Sequence, residues 1–563
     1  MQSYRNEFPL RLPEVVMDIR RLGSMHQSRM SFMRELVRKI MREQWKIKHS
    51  IFELDDQGFG TAVYSIDTPT QRYSYVLFSN FLEDHERNDR VIAEKWDVTM
   101  ALCIGDVSVQ QLQDLRINVP KQELGRYASN VIVLSRGNKS SRNFDYVVEQ
   151  LSQGLQPDVA HFIDAGYLYR TTAVYGSGKF GMADWYKVKS HCLEFNKPFS
   201  AEMFNCFMLR HFSLEQTAHL AKAIGNGKSV SMDTKIKHYV GIGNSTGLGM
   251  APYLIRHPKL ISQWVLSRER AIASVSNLGE VNPASISALA ALLSKAQLHI
   301  QQTVVPDPIQ SRKNQVLAVE LASTATWLGA SVQIGTNWRA LVGHVFQSYS
   351  IETQELLNSL LLELHPDLCD EVYAHVDESF DTSPEMSVAE LRSIIESHYQ
   401  WALDYDFSQY CASHFFWYRS EEKMEPRIGQ RFNEPGVEKE MPLVIARLVR
   451  QCYDKLSDFD DSQSVAELIL TTPNLSAIVN RIQTMSHQCY GEIRGNLADI
   501  DMRPMDLLRC KLSFFGVSKF DPKSKLWVRN TMFQGAPLVS DIGKPFKDDW
   551  CFPIAPTELS LRH

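Results

Sequence analysis

From Lys235 to Pro258 the chain reads Lys-Ile-Lys-His-Tyr-Val-Gly-Ile-Gly-Asn-Ser-Thr-Gly-Leu-Gly-Met-Ala-Pro-Tyr-Leu-Ile-Arg-His-Pro. Glycines at 241, 243, 247 and 249 and prolines at 252 and 258 forbid a continuous helix here. Glycine loses the most backbone entropy on ordering, and proline lacks the N–H that a helix interior needs. Such backbone can turn successive N–H groups onto one anion, and Asn244, Ser245 and Thr246 add side-chain donors. Pro252 suits the first turn of a following helix, and Lys235, Lys237 and His238 bring positive charge upstream. Gly243, Asn244, Ser245, Thr246 and Gly247 are therefore read as a loop for phosphate or carboxylate. The same residues fit G-x-S-x-G, which makes Ser245 a candidate nucleophile if a parallel sheet lies beneath it and an acid and a histidine follow.

A second loop has the same form. Gly176-Ser-Gly178-Lys179-Phe-Gly181-Met-Ala ends, as the first does, in Gly-Met-Ala ahead of an expected helix. It matches G-x-G-x-x-G, but a dinucleotide site also needs an apolar strand in front and an acid about twenty residues on. Here Arg170, Thr171 and Thr172 precede the glycines, and Glu202 falls in a helical stretch. A plain anion loop is the better reading. The two loops are expected to face one ligand, with Lys179 and Arg170 as cations. Gly227-Lys-Ser lacks the earlier glycine of a P-loop, because Lys222 stands in its place.

A third stretch, from His414 to Arg431, sets an aromatic block before alternating acids and guanidiniums, broken by Pro426 and Gly429. Glu425 is the candidate general acid or base, and Arg427 the candidate clamp for a carboxylate or phosphate. A structural ion-pair network would use the same residues.

The rest of the composition narrows the class. A chain of 563 residues with net charge -5 has no global pull toward nucleic acid or an anionic membrane. It contains no apolar run of about 18 residues and no secretory layout at its start, which points to the cytoplasm. The nine cysteines form no C-x-x-C pair, as expected of reduced thiols. No metal motif appears among the 17 histidines, so no metal site is assigned, and no motif fixes a cofactor.

Periodicity divides the chain into three parts: an α+β domain over 1–155, a helical core over 156–369 with both glycine loops, and a helical and irregular region over 370–563 ending in an extended arm. A basic amphipathic helix is expected over 27–48, then strands over 58–66, 73–79, 96–104 and 130–134. Ser213 and Gln216 read as a capping box that opens a helix. Further helices are expected over 258–275, 283–302, 308–328, 338–348, 351–363, 387–403, 440–455, 463–471 and 474–492. The expected fold is α+β and predominantly helical, with a small antiparallel N-terminal sheet followed by an all-α core. The expected function is a cytoplasmic, dimeric enzyme acting on a small anionic metabolite. The alternatives are a helical scaffold without catalysis and, less favoured, a nucleic-acid binder using the basic N-terminal helix.

Overall fold

The computed structural model describes residues 9–83, 96–118, 129–140, 142–162, 166–171, 185–244, 258–279, 281–303, 308–330, 337–373, 383–413, 415–419, 424–429, 438–440, 443–492, 506, 509, 511–522, 528–554 and 559. The chain is α+β and predominantly helical. It divides into two compact units, each assembled from segments distant in sequence: Met1–Met25, Ala251–Gln301 and Pro308–Lys511 make one, and His26–Met250, Gln302–Asp307 and Leu512–His563 the other.

The strands are β1 (Lys46–Leu54), β2 (Gly60–Asp67), β3 (Arg72–Ser79), β4 (Val98–Ile104), β5 (Val131–Lys139), β6 (Tyr167–Thr171), β7 (Gly241–Asn244), β8 (Phe415–Arg419), β9 (Met424–Gly429), β10 (Glu438–Glu440), β11 (Val517–Pro522) and β12 (Val528–Met532). Nine of them form one sheet in the order β1-β2-β3-β4-β5-β6-β7-β12-β11, and β10-β8-β9 form a second. The helices of the nine-stranded unit include α1 (Phe32–Glu43), α2 (Val109–Asn118), α3 (Asn143–Ser152), α4 (Ser200–Ile224) and α5 (Thr234–Tyr239).

The large sheet is covered on both faces, which explains why β3 and β4 are buried along nearly their whole length rather than at alternate residues. Val76, Phe78, Ala101 and Cys103 pack with Leu115 of α2 on one face. On the other face the Tyr75 hydroxyl donates to the Asn205 carbonyl of α4, and the Tyr169 hydroxyl donates to Gln216 at 2.8 Å.

The expected meander is present as β2 to β5, but the sheet is neither small nor wholly antiparallel. β6 and β7 fall inside the stretch read as all-helical, and they pair in parallel. The tyrosines and threonine of β6 favour a strand, but it is only five residues long, and the four-residue β7 with two glycines has little intrinsic strand preference; their neighbours in the sheet complete both. β1 is concealed in the sequence because the apolar pattern of α1 continues past Glu43, where Gln44 ends the helix in a left-handed conformation at φ 52°. The Ser213 capping box does not form. Ser213 is buried within α4, and its hydroxyl donates to the Arg210 carbonyl one turn back.

The basic helix turns two of its three arginines, Arg34 and Arg38, inward. Asp548 of the C-terminal arm receives Arg29, Arg34 and Arg38, each at 2.9 Å, and Arg34 is completely buried. Gln27 donates to the Trp550 carbonyl at 2.7 Å, and the Arg34 guanidinium lies 5.8 Å from the Trp550 ring. The extended arm thus closes over α1, and three of the residues that suggested nucleic acid are taken up by one carboxylate.

The other unit contains α6 (Pro258–Ser276), α7 (Pro283–Gln302), α8 (Pro308–Ala330), α9 (Arg339–Ser348) and α10 (Ile351–Leu364). A separate apolar cluster follows, built by α11 (Val388–His398), α12 (Val444–Lys455), α13 (Val465–Thr471) and α14 (Ser476–Gln483). In the first group Arg11 bridges Glu269 of α6 at 2.7 Å and Glu355 of α10 at 2.6 Å, while Arg268 and Arg21 add further contacts to the same two acids. Arg509 holds Glu352 at 2.6 Å.

Burial alone would raise the Asp548 carboxyl, but the facing Arg34 and Arg38 outweigh it and hold its pKa below the ordinary value. Removing this acid strands three guanidiniums in the interior, so we expect Asp548→Ala to cost about 3–5 kcal/mol in urea unfolding. A depressed folded pKa contributes stability that is complete above the unfolded value of about 3.9 and is lost as pH falls through the folded one. The gap between wild type and Asp548→Asn should therefore be full at about pH 6 to 7, roughly two units or more above the unfolded value, and should narrow in acid. A gap that stays constant down to the acid limit would contradict this.

Candidate functional site

Strand β6 is followed in the chain by residues 172–184, a short helix over Trp185–His191, then α4, α5 and β7. Parallel neighbours cannot be joined by a tight turn, and the crossover through α4, packed on β4 to β7, is what allows this pairing. In register, Arg170 faces Gly243 and Thr171 faces Asn244, so the two strands end level. Ser245 follows Asn244 directly, and Gly176 comes five residues after Thr171. Both glycine-rich segments therefore leave the sheet at one edge, the carboxyl ends of adjacent parallel strands. Gly176, Gly178, Lys179, Gly181, Ser245, Thr246 and Gly247 lie outside the described residues.

The described part of this edge is tightly built. Tyr167 pairs with Gly241 and Arg170 with Gly243, so three steps along β6 oppose two along β7. The extra residue is a bulge, and it brings the Tyr167 and Arg170 side chains to the same face, over Gly243. A Cβ on Gly243 would lie 2.8 Å from Arg170 Cγ and from the Tyr167 ring, and one on Gly241 would lie 2.2 Å from the Met532 carbonyl oxygen. Neither glycine has a positive φ. Their expected role as bends in an anion-binding loop is thus corrected: these two are strand residues that make room for close packing.

Arg170 is 8% exposed and Thr171 is 1% exposed. The Thr171 hydroxyl is 3.0 Å from that of Ser135 on β5 and donates to the Arg136 carbonyl at 3.2 Å. The Arg136 guanidinium stacks 4.0 Å over the Trp96 ring. On the far side of β7, the fully buried Asn530 pairs with Asn244. Arg170 thus stands one residue from the end of β6, a guanidinium suited to charge-assisted hydrogen bonds to an oxyanion, while the Thr171 hydroxyl is engaged within the sheet.

Of the residues singled out in the sequence, the structure brings together Arg170, Gly243 and Asn244. Glu425 and Arg427 share β9, where Glu425 pairs with Tyr418, and they belong to the other unit. The sequence reading missed a polar group on α4. Glu215 accepts from the Tyr64 hydroxyl at 2.7 Å, with His49 Nε2 at 3.0 Å and His211 Nε2 at 3.4 Å. Burial lowers the His211 pKa despite the pull of Glu215, so the ring is neutral near pH 7. Burial, reinforced by Glu215, raises that of Tyr64, which remains a donor. The available signal was the four-residue spacing of His211 and Glu215, which puts them on one helical face.

No protein-family model, curated protein or solved structure matches this chain.

The packing over Gly243 can be tested directly. We expect Gly243→Ala to destabilise the protein by about 1–3 kcal/mol through overpacking against Arg170 and Tyr167. Gly343, within α9, has open space where its Cβ would go. Gly343→Ala should be neutral or stabilising by up to about 1 kcal/mol. Equal effects of the two substitutions in urea unfolding would refute this packing.

Proposed function

We propose that this chain is a cytoplasmic enzyme acting on a small phosphate- or carboxylate-bearing metabolite, held at the carboxyl ends of β6 and β7. The observation that supports it most is the parallel register of these strands, which starts both glycine-rich segments from one edge beside a buried arginine. In open sheets the crevice beyond the carboxyl ends of parallel strands is where ligands sit, because the crossover leaves that end uncovered. In this reading Gly176, Gly178, Gly181 and Gly247 let backbone N–H groups approach the anion, while Asn244, Ser245 and Thr246 supply donors. Lys179 neutralises the bound charge and Arg170 adds a second cation. No described helix is long and apolar enough to cross a membrane, and the described cysteines form no disulfide.

The test is a thermal-shift screen of phosphate- and carboxylate-bearing metabolites, followed by titration of the best one. A ligand at a hundred times its Kd should stabilise the protein by about 2.7 kcal/mol. Lys179→Met should weaken its binding about tenfold or more, equivalent to about 1.4 kcal/mol, without changing the melting temperature of the free protein. Failure of every anion in the screen, or unchanged affinity in Lys179→Met, would overturn the reading.

One observation favours a second reading of the same edge. The G-x-S-x-G string begins on β7, a strand with a parallel neighbour, which is part of the setting that a nucleophile elbow needs. Covalent labelling by a fluorophosphonate, lost in Ser245→Ala, would support acyl transfer there; absence of labelling would leave Ser245 as a hydrogen-bond donor.

A further inference from the structure

At the opposite end of β7 the same unit contains a cavity of about 230 Å³ between α4, α5 and the segment around Leu538. Arg210 lines it. This guanidinium is 1% exposed and donates to five carbonyls: Val240 at 2.6 Å, Pro537 at 2.9 Å, Ala536 at 3.0 Å, and Lys237 and His238 at 3.2 Å. Only one of these bonds uses Nη1, which leaves that nitrogen a second N–H. No carboxylate forms an ion pair with Arg210 among the described residues. Asp541 is close enough to favour its charge, yet that acid is engaged by His238 at 2.8 Å and by the Leu538 N–H. Burial pulls the Arg210 pKa down to about 9, so the group is charged at neutral pH.

A buried cation whose hydrogen bonds all go to carbonyls is an unusual arrangement, because dipoles solvate a charge without cancelling it. Three other buried arginines of this unit, Arg29, Arg34 and Arg38, share the Asp548 carboxylate. The cavity supplies a second positive group: Lys237 lines it, half-buried, and its ammonium has no partner among the described residues. Ser231 and Ser540 place exposed hydroxyls on its wall, while Phe207, Leu214 and Met232 make an apolar lining. Glu215 and the neutral His211 also face it, but the Glu215 carboxylate is taken up by Tyr64 and His49.

We propose that this cavity is a binding site for a small molecule with one anionic group and an apolar body, whose anion serves as the counterion that Arg210 lacks and is met directly by Lys237. The site is independent of the one at the carboxyl ends of β6 and β7. It lies at the amino end of β7, with Arg210 bonded to the carbonyl of the residue that precedes the strand.

Phenyl phosphate is a probe of suitable size and charge, and benzylamine is its cationic control. By calorimetry the intact protein should bind phenyl phosphate saturably with a Kd of about 1 mM or tighter, and should not bind benzylamine. Lys237→Met should weaken phenyl phosphate at least tenfold, and Ala218→Phe, at an exposed position on the cavity rim, should block it by filling the space. Binding through the cavity should persist in Lys179→Met, which separates it from the proposed metabolite site. No saturable binding, equal binding of benzylamine, or affinity unchanged in both Lys237→Met and Ala218→Phe would overturn the proposal.

Discussion

The nine-stranded unit depends on one guanidinium. Arg210, inside α4, gathers the carbonyls of Lys237, His238 and Val240 as the chain turns into β7, and those of Ala536 and Pro537 as it leaves β12. The crossover helix, the entrance to β7 and the exit from β12 are thereby fixed to each other. That fixing determines where β7 sits in the sheet, between β6 on one side and β12 on the other. Because β7 enters in this position it runs parallel to β6, and the glycine-rich segments beyond both strands start from the same edge. Glycines 241 and 243 complete the arrangement by allowing Met532, Tyr167 and Arg170 to approach the strand closely.

Arginine is used differently elsewhere in the chain. Asp548 answers three arginines of and near α1, and Glu269 and Glu355 answer Arg11, Arg21 and Arg268. The pairs of Arg11 with Glu269 and Glu355, and of Arg29 and Arg38 with Asp548, join residues more than 240 positions apart, so each unit is closed by contacts between distant segments. Truncating one partner of such a pair is costly, because the other is left charged in the interior. Arg210 differs in bonding only to peptide carbonyls, with no ion pair among the described residues, and this contrast underlies the proposal that its cavity takes an anion.

Much of the secondary structure was legible because it follows local periodicity. The apolar repeats of α7, α8 and α10 and the alternation of β2 and β3 are each decided by neighbours within a few residues. β6 and β7 were not legible, since both are short, β7 carries two glycines, and their strand conformation is completed by partners in the sheet. The Asp548 cluster was hidden for a related reason: α1 reads as an amphipathic helix with a basic face, and the counter-charge of that face lies more than 500 residues away. Of the candidate site, the sequence picked out Arg170, Gly243 and Asn244, which do meet at one sheet edge. It misassigned the work of Gly241 and Gly243, because a missing side chain reads the same whether it frees the backbone or admits a neighbour. Arg210 was not picked out; its only sequence signal is a lone cation in the apolar run Cys206-Phe-Met-Leu-Arg-His-Phe212, and its carbonyl partners leave no local trace.

The proposed site requires that the carboxyl ends of β6 and β7 receive an oxyanion. Crystals soaked in selenate and measured at the selenium absorption edge locate such an ion whatever the natural ligand is. The account predicts an anomalous peak at the strand ends, within hydrogen-bond distance of the Arg170 guanidinium and of the backbone that continues from Asn244. Strand ends without any peak, with the Arg170 guanidinium closed off by a carboxylate of its own chain, would contradict it.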